Sequence, residues 1–242
     1  MKSPADPTFF KGRIGMTRRE WCVVVALVII ALLVALPYFQ QYRARSHAAV
    51  SQANLQQWGI ALNLFLIENK SQLPVVGSGK SETDRLDAYA WYEALPPYLS
   101  QPSLSSLPPH RRPVPGDESL WIDPAAQEKK LASGEEFHFH YGMNRFLQPD
   151  SGALSLKIYE VENPGSVVFL TEVNGGDPGA VPSTVDSRHG GGKRMVHVLF
   201  CDGFVTAVPA SELRLNPVDS RARIRWRPHH GAADPAMNKE PR

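Results

Sequence analysis

A histidine, a twelve-residue spacer and an aspartate–glycine pair stand late in the sequence: Arg188-His189-Gly190-Gly191-Gly192, then Val198-Leu199-Phe200-Cys201-Asp202-Gly203. An imidazole and a carboxylate brought together can act as acid and base. Hydrolysis would also need a nucleophile, and no Gly-x-Ser-x-Gly elbow accompanies the pair. The same residues have a structural use: Asp202-Gly203 turns a hairpin, and His189 caps or braces the glycine loop by hydrogen bonding. The structural use is the better supported, and no enzymatic activity is expected.

Metal chemistry has two starting points. His138 and His140 fall on one face of a strand and could begin a zinc site with His189 or His197, but no CxxC or HExxH surrounds them. Glu172, Asn174, Asp177 and Asp186 are weak calcium candidates on a glycine-rich loop, since calcium takes several oxygens from a bendable segment. Their spacing fits no EF-hand, and ordinary loop polarity accounts for them. No metal and no other cofactor is expected. The run Arg221-Ala222-Arg223-Ile224-Arg225-Trp226-Arg227 could meet phosphates and stack on bases. With a net charge of only +2 the chain has no nucleic-acid footprint, and an edge strand guarded by charge is the simpler account.

The element that must position all of this lies at the other end. From Trp21 to Phe39 there is no charge, and Val, Leu, Ile and Ala dominate. A bilayer core of about 30 Å needs roughly 20 such residues in a helix, so this segment suits a single membrane span. Lys2, Lys11, Arg13, Arg18 and Arg19 precede it and only Arg43 and Arg45 closely follow, which predicts a cytoplasmic N-terminus and an outer remainder. The helical pattern continues through Leu55, Trp58, Gly59, Leu62, Phe65 and Leu66 and stops at Gln72-Leu73-Pro74. A helix from Met16 to about Asn69 would be roughly 80 Å long.

The 242 residues suffice for that helix and one outer domain, which 21 prolines and 18 glycines make loop-rich. The two cysteines, Cys22 and Cys201, predict no intramolecular disulfide. Tyr89 to Leu95 reads as a short helix ended by Pro96-Pro97, Pro102 to Pro115 as a surface loop, and Pro124 to Leu131 as another short helix. Strands are predicted at Phe137–Tyr141, Leu154–Val161 and Val167–Thr171, with a two-residue Asp202-Gly203 hairpin inside Met195–Val208. The fold class is therefore α+β, a long N-terminal helix on a C-terminal antiparallel sheet. From Asn216 onward the chain is basic and proline-punctuated, with disorder predicted from Gly231.

Two resemblances refine this. A basic leader ending at Gly15, Met16 as first mature residue, Glu20 as the fifth and Pro37 as the twenty-second resemble the N-terminus of type IV prepilins and type II secretion pseudopilins. The family prefers Phe where Met16 stands and apolar residues where Arg18 and Arg19 stand. The His189…Asp202-Gly203 stretch is similar to a bacterial pseudopilin-like family ending in His, nine residues, then Asp-Gly, here with a longer spacer. Leu55-Gln56-Gln57-Trp58-Gly59, Tyr141-Gly142-Met143-Asn144 and Pro164-Gly165-Ser166-Val167-Val168 match further pieces of it.

The resemblance implies a pilin-like division: leader 1–15, transmembrane helix 16–39, outer stem 40–72, α+β head 73–215 and a basic, partly disordered tail 216–242. It implies cleavage and N-methylation at Gly15 and Met16 by a prepilin peptidase, assembly with other pilin or pseudopilin subunits through Glu20 and Pro37, and contact with membrane lipid. The implied product is a structural subunit of a type IV pilus or type II secretion pseudopilus, anchored in the inner membrane with its head periplasmic or extracellular. The alternative is a monomeric anchored module whose head binds something outside.

Overall fold

The computed structural model describes residues 17–78, 87–126, 137–148, 155–214 and 223–229. The leader with Gly15 and Met16, and the stretch from Gly231 onward, lie outside them. The chain divides into two compact units, Met1–Arg43 and Ala44–Arg242. In the first, the described chain is helical from Arg18, and every residue from Trp21 to Phe39 is exposed. The helix opens with a reciprocal cap, in which Thr17 N–H donates to Glu20 Oε2 at 2.7 Å and Glu20 N–H to Thr17 Oγ1 at 3.4 Å. That is a Thr-x-x-Glu capping box, which satisfies two amides that a helix start leaves open. Helical structure continues through Pro37, although proline cannot donate its backbone bond there.

The element is one helix, α1, Arg18–Glu68, and it is long and apolar enough to cross a membrane. In the second unit its predicted stripe is buried: Leu55, Trp58, Ala61, Leu62, Phe65 and Leu66. The helix ends at Glu68, one residue from the expected Asn69. Lys70 and Ser71 both take left-handed backbone, and Ser71 N–H reaches back to Leu66 O at 2.8 Å, a Schellman-type end.

Among the described residues, five strands form one sheet in the order β3-β1-β2-β4-β5. They are β1 Phe139–Asn144, β2 Val168–Gly175, β3 Gly179–Ala180, β4 Met195–Phe200 and β5 Val205–Pro209. The sheet is mixed rather than antiparallel: β1–β2, β2–β4 and β4–β5 are antiparallel, but β3 runs parallel to β1. That parallel pair follows from the loop after β2, where Met143 N–H bonds Pro178 O and brings Gly179 beside β1.

Both faces of the sheet are covered. The helix stripe joins Phe139, Tyr141, Phe169, Leu170 and Leu199 in one core, around T-shaped contacts of Trp58 with Trp91 and Trp121 at 5.4 and 5.0 Å. Val168, Val196, Val198 and Phe200 join Leu213, Ile224 and Trp226 in the other. Burial on two faces explains why β1 and the first six residues of β2 are buried without alternation. Two short helices, α2 Trp91–Ala94 and α3 Ala210–Leu213, line the edges of these cores.

Several sequence expectations are corrected. The alternating Leu154–Val161 stretch, described from Ser155, is no strand: one bridge joins Lys157 to Gln72 and a 3-10 turn covers Ile158–Glu160. The Glu160 carboxylate accepts the Lys157 N–H at 2.7 Å and closes that turn. Four residues, Cys201–Phe204, rather than two, separate β4 from β5, and Phe200 N–H bonds Phe204 O at 2.9 Å. Gly203 N–H bonds Phe200 O at 3.0 Å, Gly203 has φ +89°, and Asp202 acts through its side chain, accepting Phe204 N–H at 2.9 Å. Pro124–Ala126 form a turn after Asp123, and the remainder of the predicted helix there lies outside the described residues.

The arginine-rich stretch is not a free basic edge in its described part. Arg225 and Trp226 are 6% and 2% exposed. Arg225 pairs with Val167 in a parallel bridge, and Trp226 Nε1 donates to Leu213 O at 2.8 Å. Asn144 Nδ2 donates to both Val168 O and Trp226 O, at 2.8 and 2.6 Å, tying this segment to the sheet. The head therefore includes residues that the sequence assigned to the tail.

Candidate functional site

Gly59, the Gly165–Val167 stretch and Asp202-Gly203 meet at the β4–β5 loop. A Cβ on Gly59 would lie 3.0 Å from Gly203 O, one on Gly165 would lie 2.7 Å from Asp202 Oδ2, and Cys201 N–H bonds Val167 O at 3.0 Å. Here glycine permits close backbone approach. Asp202 is exposed and works as a turn residue.

His189 belongs elsewhere. Its backbone pairs with Met195 and closes the glycine loop. Its side chain, however, meets Glu172 and Asp123: among the described residues these are the carboxylates within ion-pair distance. Nε2 lies 3.1 Å from Glu172 Oε1 and 3.3 Å from Asp123 Oδ1. The proton pair that the sequence suggested, His189 with Asp202, is replaced by a buried cluster of wider origin.

Glu172 is the hub. It stands on β2 opposite Tyr141 of β1, on the face covered by α1. Its Oε1 accepts from Ser51 Oγ of the helix at 2.5 Å and lies 2.8 Å from His197 Nδ1, while Oε2 accepts His197 N–H at 3.2 Å. Tyr141 Oη lies 3.2 Å from Ser51 Oγ and accepts from Asn54 Nδ2 at 3.4 Å. Asn54 also donates to Ile122 O, and so fixes the turn that carries Asp123. Asp123 Oδ2 accepts from Arg188 at 3.0 Å, and Arg188 also meets Asp186 at 3.1 Å. Asp123, Glu172, His189 and His197 are each 4% exposed or less.

Charge follows geometry. Burial works against ionisation of Asp123, yet the His189 contact and the Arg188 charge prevail and hold it at about 2. Burial also opposes charge on Glu172, and the two histidines outweigh it and lower its pKa. For His189 burial favours the neutral ring, but Asp123 and Glu172 raise it to about 9. Burial and the Arg188 charge depress His140 to about 4. His140 Nδ1 accepts Asp123 N–H at 3.1 Å, so its proton sits on Nε2, which is buried without a partner. Burial raises the Tyr141 phenol.

The sequence candidates separate accordingly. His138 and His140 do share a face, with rings 5.5 Å apart, but His189 and His197 assemble with Glu172 instead. The four loop oxygens do not converge: Glu172 faces the histidines, Asp177 pairs with Arg145, Asp186 pairs with Arg188, and Asn174 is exposed. Asp123 and Ser51 escaped the sequence reading, and Arg188 was named there without a role. One signal was available, a glutamate inside the apolar run Val167–Val173, because an acid there must be paired. Glu20 is engaged with Thr17 in the cap, and Pro37 lies within the helix.

No protein-family model, curated protein or solved structure matches the chain.

Proposed function

We propose that the protein is a single-pass membrane-anchored structural subunit of the pilin and pseudopilin type, with its head outside the inner membrane. Its apolar segment Trp21–Phe39 spans the bilayer, and the flanking arginines keep its N-terminus cytoplasmic. One observation carries the assembly part of this reading. The outer half of α1 has two apolar faces, one buried in the head and another formed by Ile60, Leu64 and Ile67, which are 57%, 42% and 79% exposed. A second apolar row at i, i+4 and i+7 is what a helix carries when it packs against copies of itself. A prepilin peptidase and other subunits are the partners this function requires.

The test is cysteine cross-linking of the full chain in inner membranes, with Ile60→Cys or Leu64→Cys in a Cys22→Ala background. Subunits in contact give a ladder of cross-linked species. Monomer alone at native expression would replace this reading with a monomeric anchored binding module. Protease added to spheroplasts degrades the head if it is outside and spares it if it is not.

A further inference from the structure

We infer that Glu172, His189 and His197, with Asp123 beside His189, form a buried binding site for a divalent transition metal of the zinc type. The inference is independent of the anchoring reading. The ligand atoms of Glu172, His189 and His197 all lie within 4.8 Å of one another. Neighbouring donors sit 2.8 Å (Glu172 to His197), 3.1 Å (Glu172 to His189) and 3.3 Å (Asp123 to His189) apart. Zinc bonds to imidazole and carboxylate are about 2.0–2.1 Å, so tetrahedral ligands stand about 3.4 Å apart, within a few tenths of an ångström of most of these. Two imidazoles and one carboxylate, all buried, are a donor set that zinc takes, and the Asp123 carboxylate stands 3.3 Å from one of them.

Two further observations point to a cation. His189 Nε2 is fully buried and near both carboxylates, yet it forms a well-directed hydrogen bond with neither. An imidazole nitrogen aimed between two carboxylate oxygens is placed as a ligand is. Charge points the same way. Glu172 and Asp123, the two carboxylates beside His189 Nε2, are fully buried, and Arg188 pairs with Asp123. The outer contacts exist as well: Ser51 donates to Glu172 and Arg188 to Asp123, orienting both carboxylates. Zinc would take the place of the proton on His189 and join β2, β4 and the loop before β4 at one point.

The test uses the full chain in detergent, stripped with a chelator and then given zinc alone. About one zinc per chain by elemental analysis, and a Tm raised by about 5 °C or more, are expected. Glu172→Gln and His197→Gln should each lose both effects, whereas Asp177→Asn, outside the cluster, should keep them. Should either cluster variant fail to fold, cobalt bound to the wild type decides: a tetrahedral ligand-field spectrum supports the site, and the spectrum of free hexahydrated cobalt overturns it. Substoichiometric zinc with an unchanged Tm, or zinc retained equally in Glu172→Gln, also overturns it and leaves a plain ion network.

Discussion

Gly59 of α1 and Gly203 of the β4–β5 loop touch backbone to backbone: a methyl group at 59 would stand 3.0 Å from the Gly203 carbonyl oxygen and 3.0 Å from Leu199 Cδ1. Gly203 is restricted by its backbone, with φ +89°, and a methyl there would also displace the exposed Asn63 amide, 2.7 Å away. The helix and the hairpin are thus fitted through two missing side chains.

Gly59→Val should destabilise the head by about 1–3 kcal/mol through overpacking. Gly203→Val should cost about 1–2 kcal/mol from its left-handed backbone alone, before the clash with Asn63 is counted. Urea titration of the full chain in detergent measures both, and an unchanged midpoint for either would refute the fit described.

Glu172→Ala should cost about 3–5 kcal/mol, because it leaves His189, His197 and Ser51 facing a buried hole. Ser51→Ala should cost less, about 1–3 kcal/mol, since Glu172 keeps its histidine partners. Equal losses in the two variants would show that Glu172 is not the hub.

Trp226→Ala should lower stability by about 3–5 kcal/mol, as expected for a fully buried indole. Thermal melting compared with His229→Ala reports this. A wild-type Tm for the tryptophan variant would return residues 223–229 to the role of a loose tail.

Cleavage between Gly15 and Met16 should shorten the chain when a prepilin peptidase is co-expressed, and Gly15→Val should block it. Intact mass spectrometry of the membrane-extracted protein distinguishes the outcomes, and an unshortened wild type refutes the processing.

Glu20→Ala separates two roles of that carboxylate. As the partner of Thr17 in the capping box it contributes about 0.5–2 kcal/mol to helix initiation, and membrane insertion should persist without it. As an assembly residue it would meet a neighbour's Met16 amine, and the variant should then lose the Ile60→Cys cross-links. Cross-links of undiminished yield would leave Glu20 as a cap alone.

The helix was legible because its signals are local: an uncharged run, then a stripe at three- and four-residue spacing. Strand β2 was legible from Val167–Thr171 for the same reason. The cluster was not, because its members come from Ser51, Asp123, Glu172, His189 and His197, and only folding brings them together. Asp123 sits in Trp-Ile-Asp-Pro, which has no ligand spacing. The alternation at Leu154–Val161 misled because Glu160 folds back on Lys157, a contact that outweighs a period of two. Arg225 and Trp226 read as surface, although their surroundings are supplied by Asn144, Ser166 and Leu213.

The position of Trp226 also bears on biosynthesis. One face of the sheet is covered by α1, made early, and the other in part by Ile224 and Trp226, made after every strand. A nascent chain that has emerged as far as β5 therefore carries Val168, Val196 and Val198 without that part of their cover, and these long-range contacts form slowly. The growing head is most prone to aggregation in that interval, which ends only when Ile224 and Trp226 dock on the sheet.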